Sequence, residues 1–208
     1  MKRRRSHRRT VRLQPGRAPA DRKQIYVFVE GDTEKDYLEH WHRRFRADVH
    51  VVIDDFRGSP RRLVEEAAKQ RKQDVRDERR SRGRVADEYW CVFDRDEHQD
   101  FDEAIAVAAA SGITVAHSNP CFELWFILHF RDQTAWIHRH DAQDESEGLL
   151  RCRKRLTLNA LETLDEFFAD ARRRARQLDE WHEGNDSPLR SNPSSGVWGL
   201  VERIAHGA

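Results

Sequence analysis

Short apolar runs, each closed by a polar or acidic cluster, recur through the first 130 residues of this chain. Ile25-Tyr26-Val27-Phe28-Val29 is β-branched and aromatic, and stops at Glu30-Gly31-Asp32-Thr33-Glu34. Val49, Val51, Val52 and Ile53, interrupted only by His50, stop at Asp54-Asp55. Tyr89-Trp90-Cys91-Val92-Phe93 is followed by Asp94-Arg95-Asp96-Glu97, and residues 113–117 lead into Ser118-Asn119-Pro120-Cys121-Phe122-Glu123. Runs this short and this apolar fit strands covered on both faces. Between them the apolar period lengthens to that of a helix. Tyr37, Leu38, Trp41 and Phe45 share a face over about 33–46, with Asp32 or Thr33 as cap. Leu63, Val64, Ala67 and Ala68 do so over about 60–80, before the stripe fades into the charged stretch 71–84. Phe101, Ile105, Ala108 and Ala109 define a helix over 99–111 that Gly112 can close. Pro120 suits the first turn of a fourth helix, capped by Ser118 or Asn119, whose Trp125, Phe126 and Phe130 read as core. Strand then helix, four times over, predicts an α/β fold with a mostly parallel central sheet flanked by helices.

Beyond Phe130 the pattern changes. Residues 131–155 are polar, with Trp136, Ile137, Leu149 and Leu150 as anchors. Leu158, Leu161, Leu164, Phe167 and Phe168 predict one long helix from Leu156 to about Trp181. A loop over 184–195 precedes a short amphipathic helix over 197–204. The expected organisation is a disordered basic arm over 1–23, an α/β core over 24–130, and a helical C-terminal extension over 131–208 packed on that core.

Charge sharpens this division. Ten Lys/Arg against one Asp give residues 1–23 a net charge of +9, which leaves −8 on the rest of a chain whose total is +1. A basic arm on an acidic body is the pattern expected when the arm meets phosphate and the body holds a cation. A solvated tail accounts for the arm equally well. Cys91, Cys121 and Cys152 lie far apart without a CxxC pair, which points to reduced thiols in the cytoplasm and against a zinc ribbon or disulfide framework. No apolar stretch has the length of a membrane span, and the basic N-terminus lacks the apolar segment of a secretory signal.

The acids at the strand ends carry the candidate chemistry. Asp94 and Asp96 are two apart on an extended segment, so both can face one site. In a parallel sheet all carboxyl ends lie on one edge, which brings Glu30 with Glu34, Asp94 with Asp96, and Glu123 toward each other. Converging carboxylates repel unless a proton or a cation relieves them. Carboxylate oxygens are the ligands that Mg²⁺ prefers, and paired ions can activate water against a phosphodiester. Any one such acid is more commonly a helix cap or a loop charge; their joint occurrence at successive strand ends is what favours a site. His98, His117 and His129 are candidate proton carriers, although core or surface histidines are the commoner case.

Val29-Glu30-Gly31-Asp32-Thr33-Glu34, Val92-Phe93-Asp94-Arg95-Asp96, Ser118 to Trp125, Leu128-His129-Phe130 and Asn192-Pro193-Ser194-Ser195 with Leu200-Val201 together resemble the RloB-like family, over about 8–204. The resemblance implies a Toprim-like domain, the metal-binding α/β fold of topoisomerases, primases and related nucleases. On that likeness Glu30 matches the Toprim glutamate, as ligand or general base, and Asp94 and Asp96 match its Asp-x-Asp pair. Glu34 matches the second acid of Glu-Gly-x-Thr-Glu, and Glu123 lies in the family's Asn-Pro-Cys-Phe-Glu motif. The implied cofactor is Mg²⁺ or Mn²⁺. The implied activity is phosphodiester cleavage of nucleic acid, DNA ahead of RNA, in anti-phage defence or abortive infection, often beside an ATPase partner. Ser118 and Asn119 are candidates for holding substrate. Toprim nucleases often add a lysine beyond the acids; here the only lysine after position 72 is Lys154. The competing expectation is a Toprim-like module that binds a metal or nucleotide for an ATPase partner without cutting.

Overall fold

A computed structural model describes residues 22–206 apart from 47, 57, 96, 97, 154 and 189. The expected arm over 1–23 therefore lies outside the described residues save for its last two, and Asp96 and Lys154 lie outside them as well.

The four expected strands form, as β1 (Lys23–Val29), β2 (Val49–Asp54), β3 (Glu88–Asp94) and β4 (Thr114–Asn119). Helices α1 (Asp32–Phe45), α2 (Pro60–Arg79) and α3 (Phe101–Ser111) connect them, and α4 (Glu123–Phe130) follows. The strand order is β2-β1-β3-β4-β5, with the first four parallel. The fifth strand, β5 (Ser194–Ser195), pairs antiparallel with the end of β4. The fold is thus α/β, with a mostly parallel sheet between helical layers and a helical C-terminal portion. That portion comprises α5 (Arg139–Leu150), α6 (Leu158–Glu166), α7 (Phe168–Gly184) and α8 (Val197–His206).

Alternation along the strands divides the core in two. Phe28, Cys91 and Phe93 face α2 and α3 and pack with Leu63, Val64, Ala67, Phe101, Ala104 and Ala108. Val27, Val29, Trp90 and Val92 face the other way, into a larger cluster that contains Tyr37 and Trp41 of α1, most of α4, and Leu161, Leu178, Leu200 and Ile204. Trp125 and Phe126, expected in the core, are buried there. Gly112 closes α3 at φ 66°, a left-handed cap that a Cβ would strain.

Four local expectations need correction. α1 starts on Gly31 without a side-chain cap; neither Asp32 nor Thr33 caps it. Pro120 does not open α4: the Asn119-Pro120 bond is cis, Phe122 is the residue before the helix, and Ser118 and Asn119 belong to β4. The reason is tertiary, since Ser118 and Asn119 find ladder partners in Ser195 and Ser194 and the strand runs on. The long helix expected over 156–181 is two helices broken at Phe167. The break sends Phe167 against Phe130, rings 5.9 Å apart, while Phe168 packs on Trp41 and Trp125. Finally, α5 occupies part of the polar stretch that carried no expected element. It buries only Ala142, Ser146 and Leu150, a stripe too small to read as periodicity.

Candidate functional site

From β1 the chain passes through α1 to β2 on one side, then returns across β1 through α2 to β3 on the other. The order therefore reverses between β1 and β3, and the crevice beyond their carboxyl ends is where open α/β sheets receive ligands. Glu30 leaves β1 there. Val29 is the partner of Val92, so Glu30 stands level with Phe93, one residue short of Asp94 at the end of β3.

Each further acid is positioned by a different element. Glu34 sits in the first turn of α1, is only 7% exposed, and folds back under the turn. A Cβ on Gly31 would lie 2.7 Å from Glu34 Oε2, so the absence of a side chain at Gly31 makes room for that carboxylate. Glu123 opens α4 at the neighbouring strand end. Asp94 accepts a hydrogen bond from the backbone N–H of Phe122, just ahead of Glu123. Its Oδ1 is sealed from solvent and has no hydrogen-bond partner. A buried carboxylate oxygen left in that state is costly, which makes it the most informative atom in the cluster.

The electrostatics show how the acids act on one another. Burial raises the Asp94 carboxyl well above the usual range, and the charges of Glu34, Glu123 and Glu30 add to it. Burial likewise pushes Glu34 up to about 7, opposed by a bond from its own backbone N–H and reinforced by Glu123, Glu30 and Asp32. Of the five expected ligands, Asp94 and Glu34 each feel the charges of Glu30 and Glu123; the fifth, Asp96, is outside the described residues. His98 Nε2 stands 3.4 Å from Glu30 Oε1, a basic group beside the cluster.

The donor chemistry fits a hard divalent cation: all oxygen, all carboxylate, with Asp94 Oδ1 buried and unpartnered. Among the described residues, however, no three His, Cys, Asp or Glu side chains stand close enough to hold a metal ion together. Mg²⁺ is commonly held by one or two carboxylates, with water completing its shell, so a closed protein cage is not required.

The other expected residues are placed as follows. Ser118 is fully buried beneath this edge, its Oγ without a partner, beside Ser195 in the same condition. Asn119 is 8% exposed, and its Nδ2 donates to Arg190 O at 2.8 Å, so it anchors the loop before β5. Arg95 turns away from the acids: its guanidinium lies 5.1 Å from the Phe101 ring centre and reaches Arg190 O. His117 and His129 are buried, bonded to Ser194 Oγ and Trp125 O, and pushed down to about 3 chiefly by burial. Neutral and enclosed, they are core residues. The sequence reading missed the Phe122 N–H and the contribution of β5; the second Asn-Pro pair, Asn192-Pro193, was the sequence signal for a structured turn there. The cysteines are unpaired, and burial pushes the Cys91 and Cys121 thiols up, which disfavours their thiolates. Among the described residues no helix is long and apolar enough to cross a membrane.

The family model described as RloB-like protein matches residues 25–204, from β1 through α8. No curated protein matches the chain. No solved structure matches it.

Proposed function

Taking as premise that the chain belongs to the RloB-like protein family, we propose that it is a divalent-metal-dependent phosphodiesterase acting on nucleic acid, DNA ahead of RNA, with a Toprim-like site and a role in anti-phage defence. The observation that carries this reading is Asp94: a half-buried residue at the carboxyl end of β3 whose carboxylate Oδ1 is sealed from solvent and unpartnered, under the influence of three other acids across the switch point.

Asp94 and Glu30 would hold Mg²⁺ or Mn²⁺, with Asp96, Glu34 and Glu123 completing or bracing the shell. When bound, such an ion supplies charge for the phosphate oxygens and lowers the pKa of a coordinated water. The chain's own residues do the positioning. The Phe122 N–H fixes the Asp94 carboxyl, Gly31 leaves space for Glu34, and His98 orients Glu30. Burial of Asp94 and Glu34 keeps the local dielectric low, which strengthens every charge interaction made there.

One observation favours a second reading, a metal- or nucleotide-binding module that serves an ATPase partner without cutting: as placed, the described acids do not close into a ligand set. A cleavage assay on duplex DNA, single-stranded DNA and RNA with Mn²⁺, run beside calorimetric titration of Mn²⁺, separates the two. The phosphodiesterase reading expects cleavage that EDTA abolishes and that Asp94→Ala lowers by at least 100-fold with unchanged circular dichroism, on the order seen when a metal or charge-stabilising group is removed. Cleavage that survives both treatments removes it, and Mn²⁺ binding without cleavage on every substrate transfers the site to the module reading.

A further inference from the structure

The C-terminal half of α2 and the turn after it carry a cationic surface unconnected with the carboxylate site. At about 100° per residue, Lys69, Lys72, Arg76, Arg79 and Arg80 fall within one arc of about 100°. That arc faces away from the buried stripe Leu63, Val64, Ala67 and Ala68. All five side chains, and Arg82 beyond them, are exposed. Lys69 pairs with Glu66. Among the described residues, Lys72, Arg76, Arg79, Arg80 and Arg82 have no side-chain partner. The acids of the same stretch are engaged elsewhere: Asp74 accepts from Tyr89 Oη at 2.6 Å, Asp77 from Gln73, and Glu78 from the Val85 N–H. Lys72 with Arg76, and Arg76 with Arg79 and Arg80, are like charges one turn apart, an arrangement that costs an exposed helix a few tenths of a kcal/mol per pair. The helix dipole offsets this for the last turn but does not reach Lys72 or Arg82.

The position of this surface adds to it. Arg84, at the end of the same turn, donates to Arg22 O at 3.0 Å, where β1 begins. The stripe therefore meets the point at which residues 1–23, net charge +9, join the fold. Both lie at the amino edge of the sheet, separated from Asp94 by the seven residues of β3, about 20 Å.

We propose that the α2 stripe, with Arg82, is a binding surface for the phosphate backbone of double-stranded nucleic acid. Between Lys69 and Arg84 there is no Phe, Tyr or Trp, so the surface lacks the aromatic platform on which single strands stack. The large exposed apolar residues, Trp136, Leu149, Leu158, Phe167 and Trp181, all lie on the C-terminal helices and their connections, so the stripe lacks the apolar flank that seats a helix in a membrane surface. From Lys72 to Arg80 the stripe rises about 12 Å, comparable to the width of a major groove, and can meet phosphates on both of its rims.

The surface makes no use of the carboxylates, so its test is run in EDTA, where cleavage and metal binding are silent. Fluorescence anisotropy of the full chain with a labelled 20-base-pair duplex, from 50 to 300 mM salt, should give an affinity that falls steeply with salt. The triple variant Lys72→Glu, Arg76→Glu, Arg80→Glu should weaken binding at least tenfold at 100 mM salt. Its Gln counterpart, which keeps the helix without reversing charge, should shorten the log–log salt slope by about 2–3, close to 0.9 for each phosphate that is no longer neutralised. Circular dichroism confirms that each variant folds. A control that reverses the scattered Arg43, Arg153 and Arg173 should bind within twofold of the parent. The proposal is overturned if the parent does not bind, if the control is weakened as much as the stripe variant, if a single strand binds more tightly with the same dependence on the stripe, or if the stripe variant fails to bind anionic phosphatidylserine vesicles while still holding the duplex.

Discussion

At Asp94 the proposed metal site stands against stability. A carboxylate with one oxygen sealed from solvent and unpartnered, facing three like charges, weakens the fold that carries it. Asp94→Asn should therefore raise the melting temperature of the metal-free protein at pH 8 by a few degrees, since ~1 kcal/mol moves a domain of this size by about 2–4 °C. The same variant should lose the further rise that Mn²⁺ gives the parent; a scanning-fluorimetry series with and without Mn²⁺ reads both, and a lower melting point in the variant would contradict the argument. Gly31→Ala tests the neighbouring contact. At φ −136° the backbone accepts alanine, so the fold should hold within about 1 kcal/mol, but the new Cβ displaces the Glu34 carboxylate and Mn²⁺ affinity should fall. The buried histidines govern acid behaviour. His117 and His129 have folded values near 3, below the unfolded 6.5, so their contribution is complete above about pH 6.5 and is lost as the pH falls from there toward 3. Urea midpoints should drop progressively over that window, and His129→Gln should flatten the lower part of the curve. At this scale Glu30 and Asp94 were legible, because a run of apolar residues announces where a strand ends. The fold-back of Glu34 and the Phe122 N–H on Asp94 were not, since both depend on how a helix meets a neighbouring strand.

Elements were legible where one face is broad and apolar, and illegible where a distant partner decides. The strands β1, β2 and β3 and the helices α2 and α3 follow from their own residues. The last two residues of β4 do not: Ser118 and Asn119 have the composition of a cap and become strand because β5 supplies a ladder. Likewise Phe167 and Phe168 continue a helical period, yet the helix breaks at Phe167 because their rings have different destinations. Phe168 packs 4.8 Å from Trp41 and 6.1 Å from Trp125. Phe168→Ala should cost about 3 kcal/mol, toward the lower end for a large aromatic because the side chain is only partly buried. Phe167, 36% exposed, should cost no more than about 1 kcal/mol when replaced by alanine. Denaturant unfolding of the two variants checks the difference, and equal losses would mean that the break has another origin.

For the molecule as a whole, the C-terminal portion is part of the sheet's own core. Val197, Leu200, Val201 and Ile204 are 0% exposed and belong to the same cluster as Val27 and Val92. At about 1.5–3 kcal/mol for each buried side chain, their burial is comparable with the entire stability of an ordinary domain. A chain ended after Ser191 should therefore fail to give a cooperative unfolding transition by circular dichroism. The sequence separated the two portions by texture, since polarity rises after Phe130; that α8 returns to α1 leaves no mark on either helix.

That return has a consequence for how the protein is made. α1 ends at Phe45 and its packing partner α8 begins at Val197, so a pair of contacting elements spans most of the chain. Such long-range contacts make for slow folding. At synthesis rates of about 5–20 residues per second, the apolar face of α1 waits on the order of ten seconds or more for the helix that covers it. Through that interval the nascent chain displays Trp41 and Tyr37 to whatever else is in the cell, and yield should depend on chaperones more than the modest size of the protein would indicate.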